Sequence, residues 1–206
     1  MPGTPITSEA ELREIFDEPS GLAVEKVTDH IDEQSARVLR ASPFFLLATS
    51  SADGECDVSP RGDPPGSVLI LDEHTFAFGD RKGNRRLDSM LNIVAQPKVG
   101  LLFLVPGMNE TIRVNGTATI VRDPPYADQL TVKGHRPEIA IEVRVEQLYM
   151  HCAKAFVRSS LWRADSWPQR RELPTGGQLI RSASGASTPV EALDKALDEG
   201  TRTRQY

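Results

Sequence analysis

The stretch Phe76-Ala77-Phe78-Gly79-Asp80-Arg81-Lys82-Gly83-Asn84-Arg85-Arg86 contains the change of pattern on which the fold turns. Phe76–Phe78 reads as the end of a strand, Gly79 and Asp80 as a break, and Asn84 as the start of a helix running to Val94. Leu87, Leu91 and Val94 fall at helical spacing, with Met90 alongside. Four cations, Arg81, Lys82, Arg85 and Arg86, stand within six residues. A helix N-terminus already carries partial positive charge and free N–H groups, so cations there are unfavourable for the bare helix, and a bound phosphate resolves the conflict. The competing reading is a solvated basic helix start paired with Asp80 and Asp88. The glycine spacing excludes a Walker loop and a dinucleotide fingerprint.

Working outward, residues 44–152 show short apolar runs separated by turn residues, the pattern of a β sandwich or barrel. Phe44–Ser50 is the first run, and Asp53-Gly54 marks a hairpin turn after it. Val58 belongs to a second strand, interrupted by Pro60 and by Pro64-Pro65-Gly66. Ser67–Leu71 and Thr75–Phe78 pair through Asp72-Glu73-His74. Val99–Val105, Thr111–Arg122 and Ile139–Met150 are the remaining strands. Residues 1 to about 40 read as a helical extension. Ser8 caps Glu9–Phe16 with Glu11 as a capping-box partner, and a second helix runs from Asp29 or His30 to Leu39. A short helix, Ala153–Trp162, follows the last strand. The tail from 166 to 206 ends in a helix with Thr188 as cap, Pro189 at the first helical position, and Val190, Leu193 and Leu197 on one face. The expected organisation is 1–40 extension, 41–165 barrel and 166–206 tail.

Composition limits the functions. The 206 residues carry 24 Lys+Arg against 29 Asp+Glu, a net charge of −5. A duplex-binding protein shows a basic balance, so no nucleic-acid partner is expected. No apolar run approaches the ~18 residues of a membrane span, and the N-terminal stretch lacks a signal core. The two cysteines, Cys56 and Cys152, make neither a disulfide framework nor a zinc site. A cytoplasmic protein without a membrane partner or metal is the expectation.

Three further stretches bear on chemistry. Ser59-Pro60-Arg61-Gly62-Asp63 holds an arginine in a rigid loop, the kind of position that holds ligands or simply meets solvent. Thr111, Arg113, Asn115 and Thr117 alternate onto one strand face, which the pattern assigns to solvent or to a polar pocket. Gly116 within that strand signals a bulge or a close backbone approach. Lys154 and Arg158 lie four apart on a helix, as a basic surface or around a shared anion. Cys152 beside His151 does not form a catalytic pair, because adjacent strand residues point to opposite faces; a buried structural cysteine is expected. No acid pair, zinc-type histidine cluster or nucleophile elbow is present, so no catalytic residue is assigned.

The order of these stretches resembles the pyridoxamine 5'-phosphate oxidase-like, FMN-binding split-barrel family. The resemblance rests on Ser59-Pro60-Arg61-Gly62-Asp63, Gly79–Arg86, Val99-Gly100-Leu101-Leu102-Phe103, Arg113-Val114-Asn115-Gly116 and His151-Cys152-Ala153-Lys154-Ala155 with Arg158-Ser159, and covers roughly residues 30–165. It looks like a subgroup of FMN-dependent proteins rather than the true oxidase, whose C-terminal arginine and histidine motif is not matched by the tail from Gln178 onward. It implies a mainly β fold with flanking helices, a six-stranded antiparallel split β-barrel, and a homodimer with FMN in the subunit interface. It places the phosphate on Arg81, Lys82, Asn84 and Arg85 with Arg61 nearby, and Phe78, Gly79 and Asp80 under the rest of the cofactor. Arg113, Asn115, Lys154, Arg158 and Trp162 would line the cleft, partly from the second subunit.

The function so implied is an FMN-dependent oxidoreductase acting on an unidentified small molecule, with the cofactor carrying the redox chemistry. The alternatives are a flavin-binding protein without turnover, used for storage or sensing, and a deazaflavin- or haem-binding barrel. Haem needs an axial ligand, and none of His30, His74, His135 and His151 sits in a ligand context. The resemblance leaves two roles for the terminal extensions, capping the cleft or strengthening the dimer.

Overall fold

The computed structural model describes residues 3–206. Seven antiparallel strands form one sheet: β1 (Phe44–Ser50), β2 (Cys56–Gly62), β3 (Val68–Asp72), β4 (Thr75–Gly79), β5 (Lys98–Leu104), β6 (Thr111–Arg122) and β7 (Ile139–His151). Their order is β2-β1-β5-β6-β7-β4-β3. The fold class is therefore the expected one, with a correction to the strand count: the described residues form seven strands, not six, and the sheet is not closed. The count of six came from the family resemblance; the second strand, read at Val58 and as interrupted by Pro60, runs unbroken over residues 56–62. Cys56 to Gly62 pair continuously with Ser50 to Phe44. β2 is an edge strand, and a proline there removes an N–H that no neighbour needs.

Period-2 burial builds the core. Phe45 and Leu47 of β1 and Val99, Leu101 and Phe103 of β5 point inward, while their neighbours are partly or fully exposed. Phe45 packs on Phe78 at 4.9 Å and on Phe103 at 4.8 Å, and Phe76 meets Phe103 at 5.7 Å. Such pairs add about 0.5–1.5 kcal/mol each beyond the area they bury. The long β6–β7 pair shifts register between Asn115 and Gly116. A Cβ on Gly116 would collide with the Arg144 carbonyl oxygen, which is the close backbone approach expected at this glycine.

Helices flank the sheet: α1 (Glu9–Arg13), α2 (Gly21–Glu25), α3 (Glu33–Ala41), α4 (Asp88–Ala95), α5 (Lys154–Ser159), α6 (Gly176–Ser184) and α7 (Val190–Thr203). Ser8 caps α1 as expected, but the Glu11 carboxylate accepts from the Thr7 N–H. α1 stops at Arg13 and not at Phe16. α3 begins later than expected, because Asp32 caps it by accepting from the Gln34 and Ser35 N–H groups at 2.7 and 2.9 Å. Its Leu39 is fully buried. α2 begins at Gly21 and was not anticipated. α6 was not anticipated; Thr175 and Gln178 close a full capping box at its start. In α7, Pro189 is the cap position and Thr188 makes no cap hydrogen bond.

The helix after the cationic run differs most from expectation. It begins at Asp88, not Asn84, because Arg85 and Leu87 both adopt left-handed backbone (φ 64° and 62°). Its inward residues are Ser89 and Ile93, whereas Leu87, Leu91 and Val94 are exposed. Polar anchors turn the helix this way. Ser89 Oγ donates to Asp57 Oδ2 at 3.0 Å and shares a hydrogen bond with Ser59 Oγ at 2.9 Å, and Asn92 Nδ2 donates to Thr49 Oγ1 at 3.0 Å.

Candidate functional site

Two adjoining cavities lie where β2 and β4 lead into loops. One, of about 680 Å³, is lined by residues that include Phe45, Arg61, Asp63, Phe78, Gly79 and Arg81. The other, of about 960 Å³, includes Arg61, Asp80, Lys82, Asn84 and Arg85. Pro60, Arg61, Arg81, Lys82 and Gly83 border both. The structure thus brings together eight residues named from the sequence: Arg61, Phe78, Gly79, Asp80, Arg81, Lys82, Asn84 and Arg85. Topology explains the gathering. β2 and β4 lie far apart in the sheet order, yet Phe45 and Phe78 pack against each other across the curled sheet.

The cations are not equivalent. Arg81 turns toward the protein body, donating from Nε to Asp63 Oδ2 at 2.7 Å and from Nη2 to the Leu130 carbonyl at 2.8 Å. Leu130 belongs to a 3-10 turn, Ala127–Leu130, between β6 and β7. Arg61 is mostly buried and meets Asp80 only at 3.5 Å. Its Nε is buried without a hydrogen-bond partner among the described residues, as is Asp63 Oδ1. Burial pushes the Asp80 carboxyl above the usual carboxylate range, against the pull of Arg61 and Arg81. Lys82 and Arg85 are exposed and make no ion pair among the described residues, while Arg86 pairs with Asp88 at 2.8 Å. Because α4 starts only at Asp88, the cations border a loop and not a helix N-terminus. The helix-dipole argument for a phosphate therefore does not apply here, and the orphaned Arg61 nitrogen replaces it.

The other four named residues lie elsewhere in the protomer. Arg113 and Asn115 are on the outer side of β6, where Arg113 Nε donates to Asn115 Oδ1 at 3.2 Å and the guanidinium lies 5.6 Å from the Tyr149 ring. They border a separate shallow depression with Lys98 and Glu146. Lys154 and Arg158 are exposed on α5 and border neither cavity. Trp162 serves the fold, donating from Nε1 to the Met108 carbonyl at 2.8 Å and stacking on Phe156. Cys152 is exposed, as is Cys56, so the expected buried cysteine is not found: the strand has already ended at His151.

Residues not named from the sequence also wall the site. Asp63 was quoted only as part of its loop, yet it positions Arg81. Leu197, Gly200, Thr201 and Arg204 from α7 and its exit line the larger cavity, and Gln205 and Tyr206 line the smaller. The apolar stripe of α7 was legible, but no local signal says which surface it covers. No helix among the described residues is long and apolar enough to cross a membrane.

A mainly β antiparallel sheet with flanking helices, bordered by a cationic, partly buried cleft, is the architecture of a split-barrel protein. The model of the pyridoxamine 5'-phosphate oxidase family matches residues 31–152, more than half of the chain, and the protein belongs to that family. The chain is similar to several solved structures. A Clostridium acetobutylicum protein related to general stress protein 26 is 16% identical over 57% of this chain and 85% of its own, with a TM-score of 0.43. An FMN-binding protein from Syntrophomonas wolfei is 11% identical over 69% of this chain and 93% of its own, TM-score 0.45. The haem storage protein HutZ of Vibrio cholerae is 11% identical over 59% and 93%, TM-score 0.40. No curated protein matches the chain.

Proposed function

We propose that this protein is an FMN-dependent oxidoreductase acting on a small molecule, working as a homodimer with the cofactor in the subunit interface. Arg61 carries the reading. Its guanidinium is largely withdrawn from water, borders both cavities, and holds an Nε hydrogen with no acceptor. A buried polar group left unpaired costs about 1–3 kcal/mol, so a site that retains one is suited to a ligand that supplies the missing partner. A phosphate oxygen is a charge-assisted acceptor of the required kind. Lys82 and Arg85 add uncommitted positive charge beside it.

On this reading Arg61, Lys82, Asn84 and Arg85 hold the phosphate, while Phe78, Gly79, Asp80 and Arg81 flank the remainder of the cofactor. Bound FMN supplies the redox chemistry. The chain's own residues bind, orient and exclude water, which agrees with the lack of an acid, base or nucleophile constellation. Arg113, Asn115, Lys154 and Arg158 then serve the cleft of the second subunit, since they border neither cavity of their own.

A flavin-binding protein without turnover is the second reading. It is favoured by the way Leu197, Arg204 and Tyr206 wall the cavities from the same chain. Absorbance and mass analysis of the cofactor that copurifies tests the shared part of both. Flavin that is reduced by a nicotinamide cofactor and reoxidised by a substrate supports the enzyme; flavin inert to every reductant supports the module. A colourless protein that fails to bind added FMN sinks both.

A further inference from the structure

The corner of the smaller cavity where Asp63 and Arg81 meet already holds an aromatic ring from the chain itself. The Tyr206 ring stacks on the His135 imidazole, centroids 5.6 Å apart and planes 17° from parallel. The Arg81 guanidinium lies 5.8 Å and the Lys133 ammonium 5.2 Å from its centroid. Lys133 and His135 reach this position on a tight turn closed by reciprocal hydrogen bonds between Val132 and His135. Lys133 and Gly134 both adopt positive φ there (48° and 80°), the geometry of a type I′ turn, in which glycine costs nothing.

Each wall of this corner selects a property of its occupant. A planar imidazole favours a planar ring. Two cations beside one ring favour an electron-rich ring, because the attraction is to its negative face. Asp63 is mostly buried, with one oxygen committed to Arg81 and Oδ1 left without a hydrogen-bond donor. The Tyr206 ring fills the slot beside this carboxylate. Burial, and then the nearby Asp63 carboxylate, push the Tyr206 phenol above its ordinary pKa, so the neutral, donor-bearing form is the one this corner favours.

We propose that Asp63, Arg81, Lys133 and His135 form a binding site for a hydroxyl-bearing aromatic ring, a phenol, and that the segment ending in Tyr206 occupies it until such a ligand displaces the side chain. The ligand's hydroxyl donates to Asp63 Oδ1. The site is formed by residues of one chain and does not rest on the FMN reading.

The test is calorimetric titration with 4-hydroxybenzyl alcohol, and with benzyl alcohol as the analogue lacking the hydroxyl. The proteins are wild type, Tyr206→Ala, Tyr206→Ala/Asp63→Ala and Tyr206→Ala/His135→Ala. A tethered competitor acts at an effective concentration near the millimolar range, so Tyr206→Ala binds the phenol about tenfold more tightly than wild type. In Tyr206→Ala the phenol is preferred over benzyl alcohol by about tenfold, as expected for a hydrogen bond to a charged acceptor. Both double variants lose binding, the Asp63 variant losing the preference as well. His135 is on an exposed turn, so its variant keeps the test informative if Asp63→Ala does not fold. Equal binding by wild type and Tyr206→Ala, no preference between the two alcohols, or unchanged phenol binding after His135→Ala overturns the proposal. Flavin content is read by absorbance on the same samples. Phenol binding without flavin retention therefore counts against the cofactor reading alone.

Discussion

Arg81 and Asp63 form the least exposed ion pair among the described residues, 2.7 Å from Nε to Oδ2, with side chains 14% and 13% exposed. The pair ties the loop after β4 to the loop after β2, and Leu130 receives a second N–H of the same guanidinium. Removing one partner of a buried pair leaves the other charge uncompensated. Asp63→Ala is therefore expected to lower stability by about 2 kcal/mol, below the full penalty because Arg81 keeps the Leu130 carbonyl and some solvent. Urea midpoints measure it. In a double-mutant cycle, Arg81→Met/Asp63→Ala should lose less than the sum of the single variants. Additive losses would show that the pair is not coupled.

Arg61 provides the sharpest test of the cofactor assignment. Arg61→Met retains the apolar stem and removes the charge. Loss of a charge-assisted hydrogen bond of about 1.5–3 kcal/mol corresponds to roughly ten- to a hundredfold weaker FMN binding. Fluorescence titration with FMN reads the change, and unaltered affinity removes Arg61 from the site. Arg85→Glu reverses a charge at the cavity edge and is expected to abolish flavin retention through purification.

The sheet was the most legible part of the fold, because period-2 alternation acts locally and each strand declares its own inward face. Phe44–Ser50 and Thr111–Arg122 have the strand limits read from the sequence. Gly116 marked its own bulge by lacking a side chain. The helix after the cationic run was misread because Leu87, Leu91 and Val94 are a locally convincing apolar stripe. The polar contacts of Ser89 and Asn92 to residues of β1 and β2 overrule it, and those partners lie at least 30 residues away in sequence. The same distance problem hid the roles of Asp63 and Tyr206. Each is unremarkable in its own stretch, and each gains meaning only from Arg81, which meets them in space.

Asp32 makes stability depend on pH with a predictable sign. As the cap of α3 it accepts from two backbone N–H groups and from Ser35 Oγ, and these bonds hold its carboxyl below the usual range. A depressed folded-state pKa contributes stability above the unfolded value near 4, and the contribution is lost as pH falls through the folded value. Asp32→Ala is expected to cost about 1 kcal/mol at pH 7, the usual loss for a helix cap. The gap between variant and wild type should close on acidification below about pH 4. Thermal midpoints taken from pH 7 to pH 3 check this; a gap independent of pH means the charge has no part in the cap.

Gly116 and Gly100 face each other's strands but differ in what they tolerate. Gly100 pairs with Asn115 across β5 and β6, and a Cβ there meets only Asn115 Oδ1 at 3.5 Å and Ala48 Cβ at 3.8 Å, which is ordinary contact. A Cβ on Gly116 meets the Arg144 carbonyl oxygen, a backbone atom held in place by the β6–β7 ladder. A flexible side chain can rotate away, but a ladder carbonyl moves only if strand pairing is given up. Gly116→Ala is therefore expected to destabilise the protein by about 3 kcal/mol or to prevent soluble expression, in the range of severe overpacking. Gly100→Ala should stay within about 1 kcal/mol of wild type. Denaturant unfolding of the two variants side by side decides the matter: equal midpoints for both would mean that β6 can relax its bulge without losing the register that carries Arg113 and Asn115.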